Sequence, residues 1–416
     1  MKKIFTLTGV ILWRILVFFA IAITILPIAL LPASTSIPFW IQILFMMVDA
    51  ALLIAVFRLG FTLPVILAEL AGFVLIAIMA IYASQIFAST PPIVDANGKP
   101  IPHSIAVLEK VKLGDAEEWI SIRGKDSRNP VLLYLAGGPG GSELVSVRRA
   151  LGGLEDHFVV VNWEQPGSGK SFNSVNRSLL TPERYITDTH ELILKLRLRF
   201  EKEKVYLLGG SWGSALGIMV VQRHPELFHA FIGTGQMVAF LDNDLICYNL
   251  DLRLAQESGD IQQREKLKQQ GPPPYYGKNA LLKSGTFLMD LNKYMDKNPA
   301  IVNPGYSTFQ DLAGSEYGLY DKVNFWRGLL STGNIVYQQL WKVDFRKQAK
   351  YLEVPVYFLI GRHDLNAPPK LTEEYFDILS APHKELIWFE QSGHVPWVNE
   401  PAKFMDVMVN QILKKI

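Results

Sequence analysis

The chain is 416 residues long, 49% hydrophobic and only 19% charged, with a formal net charge of +2. That balance supplies no field strong enough to argue for nucleic acid, and the single cysteine, Cys247, excludes an intramolecular disulfide or a cysteine-based metal cluster. The averages conceal two segments: a stretch before about residue 90 that is almost uncharged, and a remainder with the composition of an ordinary globular domain.

The first segment, 1–90, holds three apolar runs, at about 15–32, 39–57 and 61–82. A bilayer core takes ~20 apolar residues per helix, so each run is long enough to span. Two further runs after the first speak against a cleaved signal peptide. Pro32, Ser34, Ser36 and Pro38 are expected to break the first joint, and Arg58 with Gly60 the second. Lys2, Lys3 and Arg14 precede the first span and Arg58 lies between the second and third, which puts these cations on the cytoplasmic side. Three crossings then leave the rest of the chain outside the cytoplasm. Asp49 and Glu69 interrupt the second and third runs at matching depth. Charge there is costly. The pair either shares a proton, binds a cation or partner group, or consists of protonated carboxyls hydrogen-bonded within the bundle.

Residues 91–104, with four prolines, read as a linker. A strand-rich stretch, Ile105 to Ile122, follows. Short apolar runs then predict buried strands at Val131–Leu135, Phe158–Asn162, Val205–Leu208, Ala230–Ile232, Val356–Ile360 and Leu386–Phe389. Helical patterns cover Thr181–Glu203, Trp212–Arg223, Lys370–Leu379 and Ala402–Leu413. Strand–helix alternation implies a mostly parallel, doubly wound sheet over 105–416. It lapses at about 242–348, which reads as a helical cap over a site.

Gly209-Gly210-Ser211-Trp212-Gly213 lies between a strand and a helix and fits G-x-S-x-G. A strand that turns this sharply into a helix lifts the Ser211 hydroxyl to the carboxyl edge of the sheet, and glycines at 209 and 213 let backbone pass without a Cβ. Asp364 follows the strand ending at Ile360, and His394 the strand ending at Phe389. Ser, acid, His in that order, each past a strand end, predicts Ser211 as nucleophile, His394 as base and Asp364 as the acid that orients it. The oxyanion hole is expected from the N–H of Trp212 and one from Ala136-Gly137-Gly138-Pro139-Gly140-Gly141, with Gly138 preferred over Gly137. Gly167-Ser168-Gly169-Lys170-Ser171 only imitates a P-loop, since Glu164 stands where that motif needs glycine, so no nucleotide is expected.

These motifs, with Glu164-Gln165-Pro166-Gly167 and Gly361-Arg362-His363-Asp364, resemble the proline iminopeptidase branch of the α/β hydrolases over roughly residues 105–415. The resemblance implies an α/β-hydrolase fold with a helical cap, removal of N-terminal proline, and no metal or cofactor. It gives Ser211, Asp364 and His394 the triad roles. The chain departs from the family pattern at Ala136, where a histidine is usual, and at Pro166. Asp242, Asp244 and Glu257 are candidates by location for holding a substrate amine. The expectation is a membrane-anchored serine hydrolase acting on a small peptide, amide or ester. A carboxylester or lipid hydrolase stands as the alternative, and a non-catalytic membrane receptor or scaffold as the reading from another class.

Overall fold

The computed structural model describes residues 2–59, 62–303, 305 and 307–415, with side chains from Arg14 onward except at Ser34, Phe57 and Leu59. Gly60 and Phe61, expected at the second joint and the start of the third span, lie outside the described residues, as do the side chains of Lys2 and Lys3. The chain divides into two compact units, Met1–Thr90 with Leu312–Val323, and Pro91–Asp311 with Asn324–Ile416.

The first unit contains α1 (Lys2–Ser34), α2 (Phe39–Leu59) and α3 (Leu63–Ile86). All three are long and apolar enough to cross a membrane. Unlike a water-soluble helix, each also turns large apolar side chains outward. On α3 the buried stripe includes Glu69 and Ser84, while Leu67, Leu75, Ile78 and Met79 point outward. Helix α1 begins at Lys2 rather than after Arg14, and Pro32 lies inside it instead of ending it. Pro32, like Pro27, forfeits one backbone bond to the preceding turn. Asp49 and Glu69 are both buried. Among the described residues, neither Asp49 oxygen nor Glu69 Oε2 has a hydrogen-bond partner.

Leu312–Val323, far away in sequence, completes this unit. Ser36 Oγ donates to the Ser315 carbonyl (2.9 Å), Thr90 Oγ1 to Glu316 Oε1 (3.1 Å), and the Leu319 N–H to Ser84 Oγ (2.8 Å). The Leu319 side chain joins an apolar cluster with Ile28, Leu31, Ile37, Phe45 and Ala80.

The second unit is built on eight strands: β1 (Ile105–Leu113), β2 (Ala116–Gly124), β3 (Val131–Leu135), β4 (Val159–Trp163), β5 (Val205–Gly210), β6 (Phe228–Thr234), β7 (Val356–Gly361) and β8 (Lys384–Phe389). Their order is β1-β2-β4-β3-β5-β6-β7-β8, with β1–β2 and β2–β4 antiparallel and the rest parallel. Buried strands alternate between two cores. Leu133, Leu135 and Leu207 face one, and Leu132, Tyr134, Tyr206 and Leu208 the other. The first core is covered by α5 (Pro182–Phe200) and α6 (Trp212–Arg223), the second by α4 (Leu144–Ala150), which sequence patterning missed, and by the C-terminal helical stretch.

That final stretch is α-helical only over Pro401–Asp406 and π-helical over Val407–Leu413. The wider turns bury Val407, Met408 and Val409 in succession. Between β6 and β7 come α7 (Phe240–Glu257), α8 (Ile261–Gln270), α9 (Ala280–Lys297) and shorter helices ending at Gln348. The strand order reverses at β3, so the crevice at the carboxyl ends of β3 and β5 is the topological switch point where sites form in such sheets.

Candidate active site

Ser211 stands between β5 and α6 with φ +52° and ψ −120°, a conformation that costs energy for any residue with a Cβ. Its surroundings hold it there. The Ser211 N–H donates to the Thr234 carbonyl (2.9 Å), and the Ser211 carbonyl accepts from Ser214 Oγ (2.5 Å), which itself accepts from the Met237 N–H (3.0 Å). The flanking glycines are obligatory. A Cβ at Gly209 would stand 2.3 Å from the Gly213 carbonyl oxygen, and one at Gly213 2.0 Å from that of Leu135.

The loop after β3 approaches the same point. Gly138 has φ +125°, and a Cβ there would meet the Gly141 nitrogen at 2.5 Å. The Gly137 N–H donates to Glu143 Oε2 (3.0 Å), which also accepts from Tyr134 Oη (2.7 Å). Gln165 ties the loop to the serine turn: its Nε2 donates to the Ala136 carbonyl (3.1 Å) and its Oε1 accepts from the Trp212 indole (2.9 Å). Beside it, Glu164 accepts from Ser142 Oγ (2.5 Å) and from the Lys170 N–H (2.8 Å). The Glu-Gln segment is therefore a buried brace for the glycine loop.

Asp364 lies past β7, almost wholly buried. Its Oδ1 accepts from the N–H groups of Asn366 and Ala367 (both 2.8 Å), and its Oδ2 lies 2.9 Å from His394 Nδ1. His394 follows β8 on a turn fixed by the Gly393 N–H to Asn399 Oδ1 (3.0 Å). Burial pulls the His394 imidazolium toward its neutral form. The charge and hydrogen bond of Asp364, aided by the charge of Glu143, outweigh this and hold its pKa above the ordinary 6.5. His190, on α5, stacks instead on His224 with ring centroids 3.8 Å apart.

Ser211, His394 and Gly138 line one cavity of about 400 Å³, walled by Leu288, Phe325, Trp326 and Leu329. A hydroxyl, an imidazole backed by a carboxylate, and two loops of backbone N–H groups at one sheet edge suit acyl transfer. The carboxylates in this cavity are Glu143 and Asp311, the latter paired with Arg149 at 3.0 Å. Neither was found by sequence reasoning. Glu143 stands two residues past the glycine loop, a signal that could have found it; Asp311 carries none.

The acids expected by location stand elsewhere. Asp242 is paired with Arg346, Glu257 is exposed beside Arg253, and Asp244 is buried on Tyr337 Oη (2.6 Å) and Ser284 Oγ (2.8 Å). None of the three lines the cavity.

Residues 130–401 match the family model described as the alpha/beta hydrolase fold. The chain is also 31% identical over 314 residues to the probable aminopeptidase YbaC of Bacillus subtilis (strain 168), covering 74% of this chain and 97% of that one. The chain belongs to the α/β-hydrolase family. Within it the likeness is to the proline iminopeptidase branch. The proline iminopeptidase of Heyndrickxia coagulans is 24% identical over 280 residues, covering 67% of this α/β hydrolase and 88% of its relative. Among solved structures, the proline iminopeptidase of Mycobacterium smegmatis aligns with a TM-score of 0.55 at 19% identity, over 74% of this chain and 98% of its own, a likeness of fold. The alignments cover 67% to 74% of this α/β hydrolase.

Proposed function

We propose that this α/β hydrolase is a membrane-anchored serine hydrolase that releases the N-terminal residue of a small peptide. The observation that carries the reading is the 2.9 Å contact between His394 Nδ1 and buried Asp364, in the cavity that Ser211 also lines. In this reading Ser211 Oγ bonds to the substrate carbonyl carbon as its proton passes to His394 Nε2. The carbonyl electron pair moves to oxygen, where the N–H groups of Gly138 and Trp212 receive it. Collapse breaks the carbon–nitrogen bond, and the leaving amine takes the proton from His394. Water then repeats the sequence on the acyl-enzyme.

The substrate preference draws on the relatives named as aminopeptidases. The proposal assigns no role to Asp242, Asp244 or Glu257, which do not line the cavity. The apolar walls Leu288, Phe325, Trp326 and Leu329 favour a second reading, hydrolysis of a carboxylic or lipid ester. A fluorophosphonate probe and a panel of prolyl and alanyl amides and fatty-acid esters, run on wild type and Ser211→Ala, separate these readings. Labelling and turnover are expected in wild type alone. Activity that survives in Ser211→Ala overturns the mechanism, and an intact, unlabelled wild type returns the chain to the receptor reading.

Residues 1–90 act in this proposal as a three-helix anchor, with the N-terminus cytoplasmic and the hydrolase outside. The basis is bilayer-length apolar helices and the position of Arg14 and Arg58. Protease added to intact cells is expected to digest the hydrolase; complete protection reverses the orientation.

A further inference from the structure

We propose that Glu143 is a positioning residue that selects which glycine N–H is offered to the oxyanion and lends His394 a second negative neighbour. This rests on the serine-hydrolase reading above.

The first half follows from hydrogen bonds. Two adjacent N–H groups, on Gly137 and Gly138, could serve the loop side of an oxyanion hole, and only one can point at the reacting oxygen. Glu143 Oε2 accepts the Gly137 N–H at 3.0 Å. Commitment of Gly137 leaves the role to Gly138. The carboxylate accepts from Tyr134 Oη at 2.7 Å, and the Glu143 backbone carbonyl accepts from Asn162 Nδ2 at 2.9 Å. Tyr134 packs edge-on against Trp397, another wall of the cavity. The loop's orientation is thus referred back to the sheet through a side chain rather than left to backbone alone.

The second half follows from location. The point where Gly137 would carry a Cβ is 3.4 Å from Ser211 Cβ and 3.8 Å from Glu143 Oε1, so carboxylate and serine flank the same position. His394 opens onto this cavity, with Asp364 behind it at Nδ1. The charged groups facing the imidazole are therefore Asp364 from the loop after β7 and Glu143 from the loop after β3. Asp311 lies in the same cavity, with its charge matched by Arg149. A proton taken from Ser211 arrives on a ring backed by Asp364 at Nδ1 and sharing its cavity with Glu143, and the Glu143 charge adds to that of Asp364 in favouring imidazolium.

The test uses the full-length enzyme in detergent, comparing wild type, Glu143→Gln and Glu143→Ala. The readouts are kcat and KM against pH and the rate of fluorophosphonate labelling. Glutamine keeps an acceptor for Gly137 and discards the charge, so the acid limb of kcat/KM should move to lower pH. Alanine discards both. Its acid limb should move likewise, and its plateau kcat should fall roughly tenfold or more below that of Glu143→Gln. A near-isosteric glutamine guards against loss of folding. If wild type labels at Ser211 and the limb of Glu143→Gln stays in place, the charge role is overturned. Equal plateaus for glutamine and alanine overturn the loop role. A wild type that does not label overturns the underlying serine reading instead.

Discussion

Gly235 leaves the ring of His394 no room to move toward β6. A Cβ at position 235 would stand 2.8 Å from His394 Cε1, and the residue has φ +51°. Gly235→Ala must therefore strain the backbone or displace the imidazole. A displacement near 1 Å at reacting groups costs on the order of 100-fold. The expected result is a loss of that size in kcat/KM with circular dichroism unchanged; an alanine variant at full activity would show that His394 is not the working base.

Asp364 supplies both orientation and charge to His394. Asp364→Asn keeps the shape but disturbs the tautomer, and a drop of about 10⁴ in kcat is expected. The pH profile carries the same information. The His394 pKa is raised, so in the proposed mechanism the neutral base is lost as pH falls through a value above 6.5. A titration of kcat/KM should place the acid limb on the alkaline side of an ordinary histidine. A limb below 6.5 would contradict the electrostatics described for this ring.

Gln165 serves two partners at once. Removal of its amide in Gln165→Leu leaves the Trp212 indole N–H without its acceptor in a fully buried setting, a penalty of ~1–3 kcal/mol. It also frees the Ala136 carbonyl, and with it the start of the glycine loop. Thermal unfolding should shift down by a few degrees and kcat should fall, with KM changing less than kcat. Stability lost with no change in kcat would limit Gln165 to a packing role.

Asp244 in the cap has its pKa pushed up to about 6, because burial outweighs its bonds to Tyr337, Ser284 and Asn243. Relative to an unfolded value of 3.8 the native state then holds the proton more tightly, a difference of about 3 kcal/mol. The sign follows from linkage: this stability is fully present below pH 3.8 and is lost as pH rises through about 6. Asp244→Asn removes the titration. Wild type should lose melting temperature relative to the variant between pH 4 and pH 7, as read by differential scanning fluorimetry. Parallel curves for the two proteins would refute it.

The hydrolase core was legible in the chain because its signals are local. Val131–Leu135 and Val205–Leu208 are short apolar runs closed by glycine, and each ends within a few residues of a group in the candidate site. Ser211, Asp364 and His394 each sit in such a turn. Placing acids in the cap was a different problem. Asp242, Asp244 and Glu257 are close to Ser211 in chain order, but helix rotation decides whether a side chain meets the cavity. In α7 it turns Asp242 toward Arg346 and Asp244 into the cap interior. Glu143 and Asp311 reach the cavity from segments 168 residues apart, and no period or motif links them. Helix α4 was missed for a related reason: seven residues are too few for an apolar period to declare itself.

The return of Leu312–Val323 to α1, α2 and α3 changes what the N-terminal helices are. A tether is attached at one place and can be cut or exchanged. Here the chain leaves the helices at Thr90 and comes back more than two hundred residues later, with Leu319 packed among Ile28, Leu31 and Phe45, and Ser84 bonded to its backbone. Amputation at residue 90 would strand that segment without its packing partners, and grafting a foreign helix in their place would not restore them. Residues 1–90 and Leu312–Val323 therefore form one folded unit, and a change in α3 at Ser84 removes the acceptor of the Leu319 N–H.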